Sequence, residues 1–133
     1  MKRVSGNVTW KAKFDNRFLD GIRSGKKRQT IRRGEYVEEG DTLILAGPTG
    51  EEIMEVEVKG AEPIQILIFR TTDDFGRLLK RVSVRLGANN PDIGELAALA
   101  EADGFACPHD IIAFMEVNDM FIGGIFDGQL IRW

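Results

Sequence analysis

The sequence predicts an α+β fold, a small β-barrel with two or three short helices packed on it, in one domain over 1–133. Three observations lead there. Apolar and polar residues alternate in "NVTWKAKF" and in "EEIMEVEVKG", the period of half-buried strands. Apolar residues recur instead at helical spacing in "DNRFLDGIRSG" and "NNPDIGELAALAEADG". A chain of 133 residues, 43% hydrophobic, holds enough apolar material for a single core and not for two.

Taken in order, the first strand puts Val8, Trp10, Ala12 and Phe14 on one face and Thr9, Lys11 and Lys13 on the other. Asp15 or Asn16 caps the helix that follows, Phe18, Leu19 and Ile22 are its apolar positions, and Gly25 is the left-handed residue that ends it. The chain then enters an extended segment. A turn at Gly40-Asp41 leads to a strand at 42–46, a Gly47-Pro48-Thr49-Gly50 hairpin loop, and a strand whose Ile53, Glu55 and Glu57 alternate with Met54, Val56 and Val58. That loop lacks the Gly-Lys-Ser/Thr ending of a phosphate-binding P-loop. More strand follows at 64–69. Over 71–90 two patterns compete, a helix over 73–81 capped by Thr72 and a strand at "VSVRL". The next helix takes Asn90 as cap, Pro91 at its first position, Ile93, Leu96, Ala97 and Leu99 or Ala100 as its buried stripe, and Gly104 as its end. Another starts near Pro108 and runs through Ile111, Ile112, Phe114 and Met115, and the tail "GGIFDGQLIRW" returns to the sheet as a strand.

Composition narrows the function. No apolar run is long enough to span a membrane, and Met1-Lys2-Arg3 is followed by polar Ser5, Gly6 and Asn7, so the expectation is a cytoplasmic protein with no membrane partner. Cys107 is the only cysteine and His109 the only histidine, which excludes an internal disulfide and leaves a zinc site short of ligands; no metal or cofactor is expected. His109, near a helix start, fits a capping or surface role.

Charge is distributed unevenly. Residues 1–33 hold eleven Lys and Arg against Asp15 and Asp20, a balance of +9, which leaves −12 for the remainder of a chain whose net charge is −3. The densest part is "GKKRQTIRRG" at 25–34, with no acid in it. A local field of this sign draws phosphate or carboxylate ligands.

The segment "FLDGIRSGKKRQTIRRGEYVEEGDTLIL" resembles the signature of the ASCH domain, a PUA-like fold in which a helix, a Gly-x-Lys turn, a Thr-Ile-Arg strand and a Gly-Asp turn follow one another. "EADGFACPHDIIAFM" is similar to that family's helix pair around Asp-Gly-Phe, and "FDGQLIRW" to the closing strand of ASCH proteins common in phages and prophages. The resemblance leaves 71–90 unmatched. It implies binding of RNA, a nucleotide or a modified nucleoside. The motif is also similar to that of the N(4)-acetylcytidine amidohydrolases, which use a lysine and a threonine of the Gly-x-Lys-x-x-Thr-Ile-Arg segment and a glutamate from the later helical region. The lysine falls on Lys27 and the threonine on Thr30. The glutamate falls near Asp103, a shorter acid followed by Gly104-Phe105, with Glu101 as a second acidic candidate.

The chemistry of the segment allows two classes of function. A threonine hydroxyl attacks an amide when a base takes its proton, and a lysine serves when burial or neighbouring cations lower its pKa. In a regular strand Lys27 and Thr30 point to opposite faces, so their convergence requires a turn or bulge between them. Arg28, Thr30 and Arg32 share a face by the two-residue period, which also describes a phosphate-binding or base-edge surface. The expected binding module holds RNA or a nucleotide with Lys26, Lys27, Arg28, Thr30 and Arg32, with Arg33 and Tyr36 bordering the cleft and Phe105 closing it or packing the helix pair. The alternative is a small hydrolase, an amidohydrolase or a ribonuclease, with Lys27, Thr30 and Asp103 as its active group. A phage accessory domain that binds another protein through its acidic side is the third reading.

Overall fold

The structure, a computed structural model, describes residues 7–34 and 36–133; Lys2, Arg3 and the polar Ser5 and Gly6 lie outside them. Among the described residues, seven strands form two sheets, accompanied by three α-helices. In the first sheet, β1 (Thr9–Lys13) runs parallel to β3 (Thr42–Ala46), which pairs antiparallel with β4 (Glu52–Glu57). The second sheet is antiparallel with order β2-β7-β5-β6, from β2 (Gln29–Arg33), β7 (Ile125–Arg132), β5 (Gly60–Thr72) and β6 (Leu78–Leu86). A single 3-10 turn at Asn16–Phe18, capped by Asp15, leads into α1 (Leu19–Ser24); α2 (Ile93–Ala102) and α3 (Pro108–Val117) follow the second sheet. The core joins all of these through Ile22, Leu43, Leu45, Ile66, Met115 and Phe126. No helix among the described residues is long and apolar enough to cross a membrane.

The expected α+β class holds, but the barrel does not close. Among the described residues, backbone pairing leaves two separate sheets. One corner is continuous, because Val58 N–H donates to Asp41 O at 2.8 Å and the next residue, Lys59, donates to Arg132 O at 2.8 Å, so the chain steps from one sheet to the other. At the opposite corner, among the described residues, no backbone pairing joins β1 and β2, and the Arg32 guanidinium donates across to Lys13 O at 2.7 Å. A cleft opens along that seam. Gly128 on β7 lets β2 approach, since a Cβ there would collide with the Arg32 carbonyl oxygen.

The region 71–90 resolves in favour of the strand. Asp73 accepts from the Phe75 and Arg77 amides at 2.9 and 2.8 Å, and Gly76 takes φ +78°, so a tight turn replaces the alternative helix and "VSVRL" lies in β6. Asp92 rather than Asn90 caps α2, in a reciprocal pair with Glu95: the Asp92 carboxylate accepts from the Glu95 amide at 2.8 Å. Because α2 meets the core only at its carboxyl-terminal half, Ala100 is buried and Leu99 packs against the core, while Ile93 and Ala97 of the expected stripe face solvent.

The parallel β1-β3 pair depends on Asp41. Its fully buried carboxylate accepts from Val8 N and Glu38 N at 3.0 Å each and from Trp10 Nε1 at 2.8 Å, tying the start of β1 to the turn before β3. Asp41→Ala leaves three partly buried donors without this acceptor and lowers stability by about 2–4 kcal/mol. Chemical denaturation followed by tryptophan fluorescence measures this; a loss below about 0.5 kcal/mol, the range of neutral surface changes, contradicts the assigned role.

Candidate functional site

Two helix ends build the site. Gly25, at φ +80°, ends α1, and Lys27 N–H then donates back to Gly21 O at 2.9 Å, which turns the chain and sends the Lys27 side chain inward. The turn precedes Lys27 and does not lie between it and Thr30; Lys27 sits before β2, which begins at Gln29, so the strand alternation does not fix its direction. Arg28 N–H donates to Ala102 O at 3.1 Å and Gln29 Nε2 to Leu99 O at 3.0 Å, fastening this segment to the end of α2. Asp103, the residue that caps that end, is thereby placed against Lys27.

Lys27 is only 2% exposed, and Thr30 and Asp103 are each 5% exposed. The Lys27 ammonium stands 3.4 Å from Asp103 Oδ1 and also donates to the Asp103 backbone carbonyl. Its other surroundings are the rings of Phe18, at 4.7 Å from the centroid, and Phe14, at 5.6 Å. Arg32 Nε donates to Thr30 Oγ1 at 3.1 Å, and the same guanidinium lies 4.5 Å above the Phe14 ring. Asp103 Oδ1 is buried; the Lys27 ammonium at 3.4 Å acts on it through charge and a poorly aligned hydrogen bond, and among the described residues no other donor reaches it.

Burial governs the protonation of the pair. Loss of solvent lowers Lys27 to about 8, against the opposing pull of Asp103 and with help from Arg32 and Arg17. Loss of solvent likewise raises Asp103 to about 6, opposed by Lys27 and Arg32. Both groups are charged near neutrality. Arg32 is lowered by burial in turn but stays a cation.

A cleft of about 640 Å³ lies over these groups. Lys27, Thr30 and Asp103 all line it, as do Arg32, Arg33 and Phe105 from the expected binding set. The other three expected binding residues, Lys26, Arg28 and Tyr36, are not among the residues that line it. Lys26 is exposed, Arg28 turns back to donate to Gly25 O at 3.1 Å, and Tyr36 is 71% exposed. Arg28 departs from the expected face because β2 starts only at Gln29, so the two-residue period does not extend to it. Phe105 both packs and lines: its ring meets Phe18 at 5.4 Å and Phe114 at 5.5 Å.

Two parts of the site escaped the sequence reading. Phe18, Phe105 and Phe114 form an aromatic wall, with the Arg17 guanidinium 4.9–5.5 Å from all three centroids. Lys13 also lines the cleft. Arg17 beside Phe18 was the available local signal, but nothing local links either residue to Phe105 and Phe114, far along the chain.

Comparisons with family models, with curated proteins and with solved structures return no match. What the cleft can do follows from its own atoms.

The pH dependence of stability tests the pair. Because the folded-state pKa of Asp103 is raised, its ionisation weighs against the fold increasingly between 3.8 and about 6. Because that of Lys27 is lowered, its charge weighs against the fold until pH climbs from about 8 to 10.5. Replacing both, Lys27→Met with Asp103→Asn, yields a protein that near pH 7 equals the wild type or exceeds it by up to about 4 kcal/mol, whereas either substitution alone costs about 3–5 kcal/mol. The advantage of the double variant widens across the first window and narrows across the second. Denaturant titrations over that range check it, and a constant difference would refute the assignment.

Proposed function

We propose that the chain is an ASCH-type domain of PUA-like fold whose cleft takes a nucleotide or modified nucleoside of RNA. Three separate segments resemble that family; two of them line the cleft and the third pairs with one of those two. Lys27 and Thr30 come from the first, Asp103 and Phe105 from the second, and the third is β7, the strand paired with β2. The volume suits a nucleoside-sized ligand. Arg32, Arg33 and Lys13 offer cations at its margin, and the phenylalanine wall offers an apolar side.

The observation that carries this reading is Asp103 Oδ1. This buried carboxylate oxygen lines the cleft and, apart from the poorly aligned Lys27 ammonium at 3.4 Å, meets no donor among the described residues, so it has room to accept a ligand N–H. An amide or an exocyclic amine of a base supplies one.

Hydrolysis of an acylated nucleoside such as N(4)-acetylcytidine is the second reading, favoured by the lowered pKa of Lys27. Around pH 8, about half of the Lys27 side chains carry the neutral amine that accepts a proton. Thr30 Oγ1 gives its proton to that amine and bonds to the acyl carbon. Arg32, already donating to Thr30 Oγ1, opposes the developing negative charge. The carbon–nitrogen bond breaks as the proton passes by way of Asp103 to the leaving amine. Water then splits the acyl-threonine ester, releasing the carboxylate and restoring the hydroxyl.

Binding and turnover of N(4)-acetylcytidine, read by calorimetry and by release of cytidine and acetate, separate the two readings. Asp103→Ala with Lys27→Met should abolish binding while the protein remains folded. If hydrolysis operates, Thr30→Ala lowers kcat/KM by about a hundredfold or more, and wild-type kcat/KM climbs with pH up to about 8. Binding without cleavage leaves the first reading alone. Neither binding nor cleavage of acetylcytidine, cytidine or cytidine monophosphate would overturn both.

A further inference from the structure

The chain's second concentration of positive charge lies outside the cleft. Seven Lys and Arg follow residue 33, and five of them, Arg70, Arg77, Lys80, Arg81 and Arg85, lie in the β5-β6 hairpin. Two are occupied: Arg77 pairs with Asp73 at 2.7 Å and Lys80 with Glu116 of α3. Arg81 and Arg85 are exposed and, among the described residues, make no ion pair.

Strand register places these two on one face with exposed apolar groups. Arg81 stands opposite Phe69, Ser83 opposite Leu67 and Arg85 opposite Gln65. On β7, Ile125 lies opposite Leu67 and Asp127 opposite Gln65, where Gln65 Nε2 donates to Asp127 Oδ1 at 3.0 Å. Phe69 is 48% exposed and Ile125 is exposed too, whereas Ile64 and Ile66, on the other face of β5, are core. The result is an open sheet face with a phenyl ring beside a guanidinium, and a second guanidinium about 13 Å further along the same strand.

We propose that this face docks single-stranded nucleic acid, with Phe69 as a stacking platform and Arg81 and Arg85 as phosphate contacts. Rings and cations side by side on a flat surface match a strand whose bases are unstacked and whose backbone is anionic. A membrane fits less well, because the hairpin's apex carries Asp73 and Asp74 and the apolar groups lie along its flat side. An acidic protein would use the two arginines but leave the exposed ring without a planar partner. The surface shares no residue with the cleft lining and stands whether or not the cleft takes a nucleoside.

Fluorescence anisotropy of the full chain with a labelled oligouridylate of about 12 nucleotides tests the proposal. Between about 50 and 200 mM salt the wild type binds with a negative slope of log affinity on log salt, and Arg81→Ala with Arg85→Ala makes that slope shallower by about 1.4. Phe69→Ala weakens binding about five- to a hundredfold. All three residues are exposed, so thermal melting should show the variants folded. No binding by the wild type, an unchanged slope in the arginine variant, or equal affinity for duplex RNA with no effect of Phe69→Ala would each overturn it. So would arginine-dependent binding to phosphatidylserine vesicles without binding to the oligonucleotide. None of these outcomes reads nucleoside turnover, so this surface and the cleft fail separately.

Discussion

The pairing of Lys27 with Asp103 joins residues 76 positions apart, and the structure around the seam is arranged to hold it. Removing an ammonium and a carboxylate from water costs several kcal/mol for each ion, more than a contact at 3.4 Å reliably returns. The remaining stabilisation comes from the Asp103 carbonyl and from the faces of Phe14 and Phe18, while two left-handed glycines, Gly25 and Gly104, make the turns beside the pair. Gly104, at φ +92°, is the sharper case: a Cβ there would press on Phe18 at 3.2 Å and on the Lys27 stem at 3.4 Å. A pair so costly is weak evidence for stability, and the proposed use of the cleft gives it another reason.

The open seam follows from the same arrangement. If β1 and β2 paired through their backbones, the strand edges would be satisfied but the space over Thr30 and Asp103 would close. Arg32 instead spans the gap with one side chain, bonded to Lys13 O and to Thr30 Oγ1 and stacked on Phe14. One residue therefore props the sheets apart, orients the hydroxyl and supplies a cation. Gly128 completes the device by admitting β2 against β7.

What was legible in the sequence was local. The alternation in β1 and β4, the ending of α1 and the glycine at the close of α2 follow from backbone preferences over a few residues, and the structure repeats them, whereas Asp15 caps the 3-10 turn before α1 and not α1 itself. The meeting of Lys27 with Asp103 was reached through the resemblance and not through any periodicity, since it depends on α2 docking across the chain. Errors arose where a rule was carried past its element. The two-residue period was extended to Arg28, one residue before the strand, and the barrel was inferred from strand content although closure depends on which edges meet. Over 71–90, a turn stabilised by Asp73 and Gly76 decided between helix and strand, and each pattern alone was plausible.

In the resting protein the ion pair opposes the proposed hydrolytic use of the cleft, which constrains how a ligand must act. Protonated Lys27 cannot accept a proton, and Asp103 is what keeps it protonated, raising its pKa against the larger effect of burial. A ligand N–H bonded to Asp103 Oδ1 withdraws negative charge from the ammonium and excludes water from the pair. Both effects favour the neutral amine. On the proposed reading, the hydrogen bond that recognises the ligand is therefore also the event that frees the base beside Thr30. A ligand without that N–H would occupy the same volume and leave Lys27 charged, so recognition and activation meet in a single carboxylate oxygen.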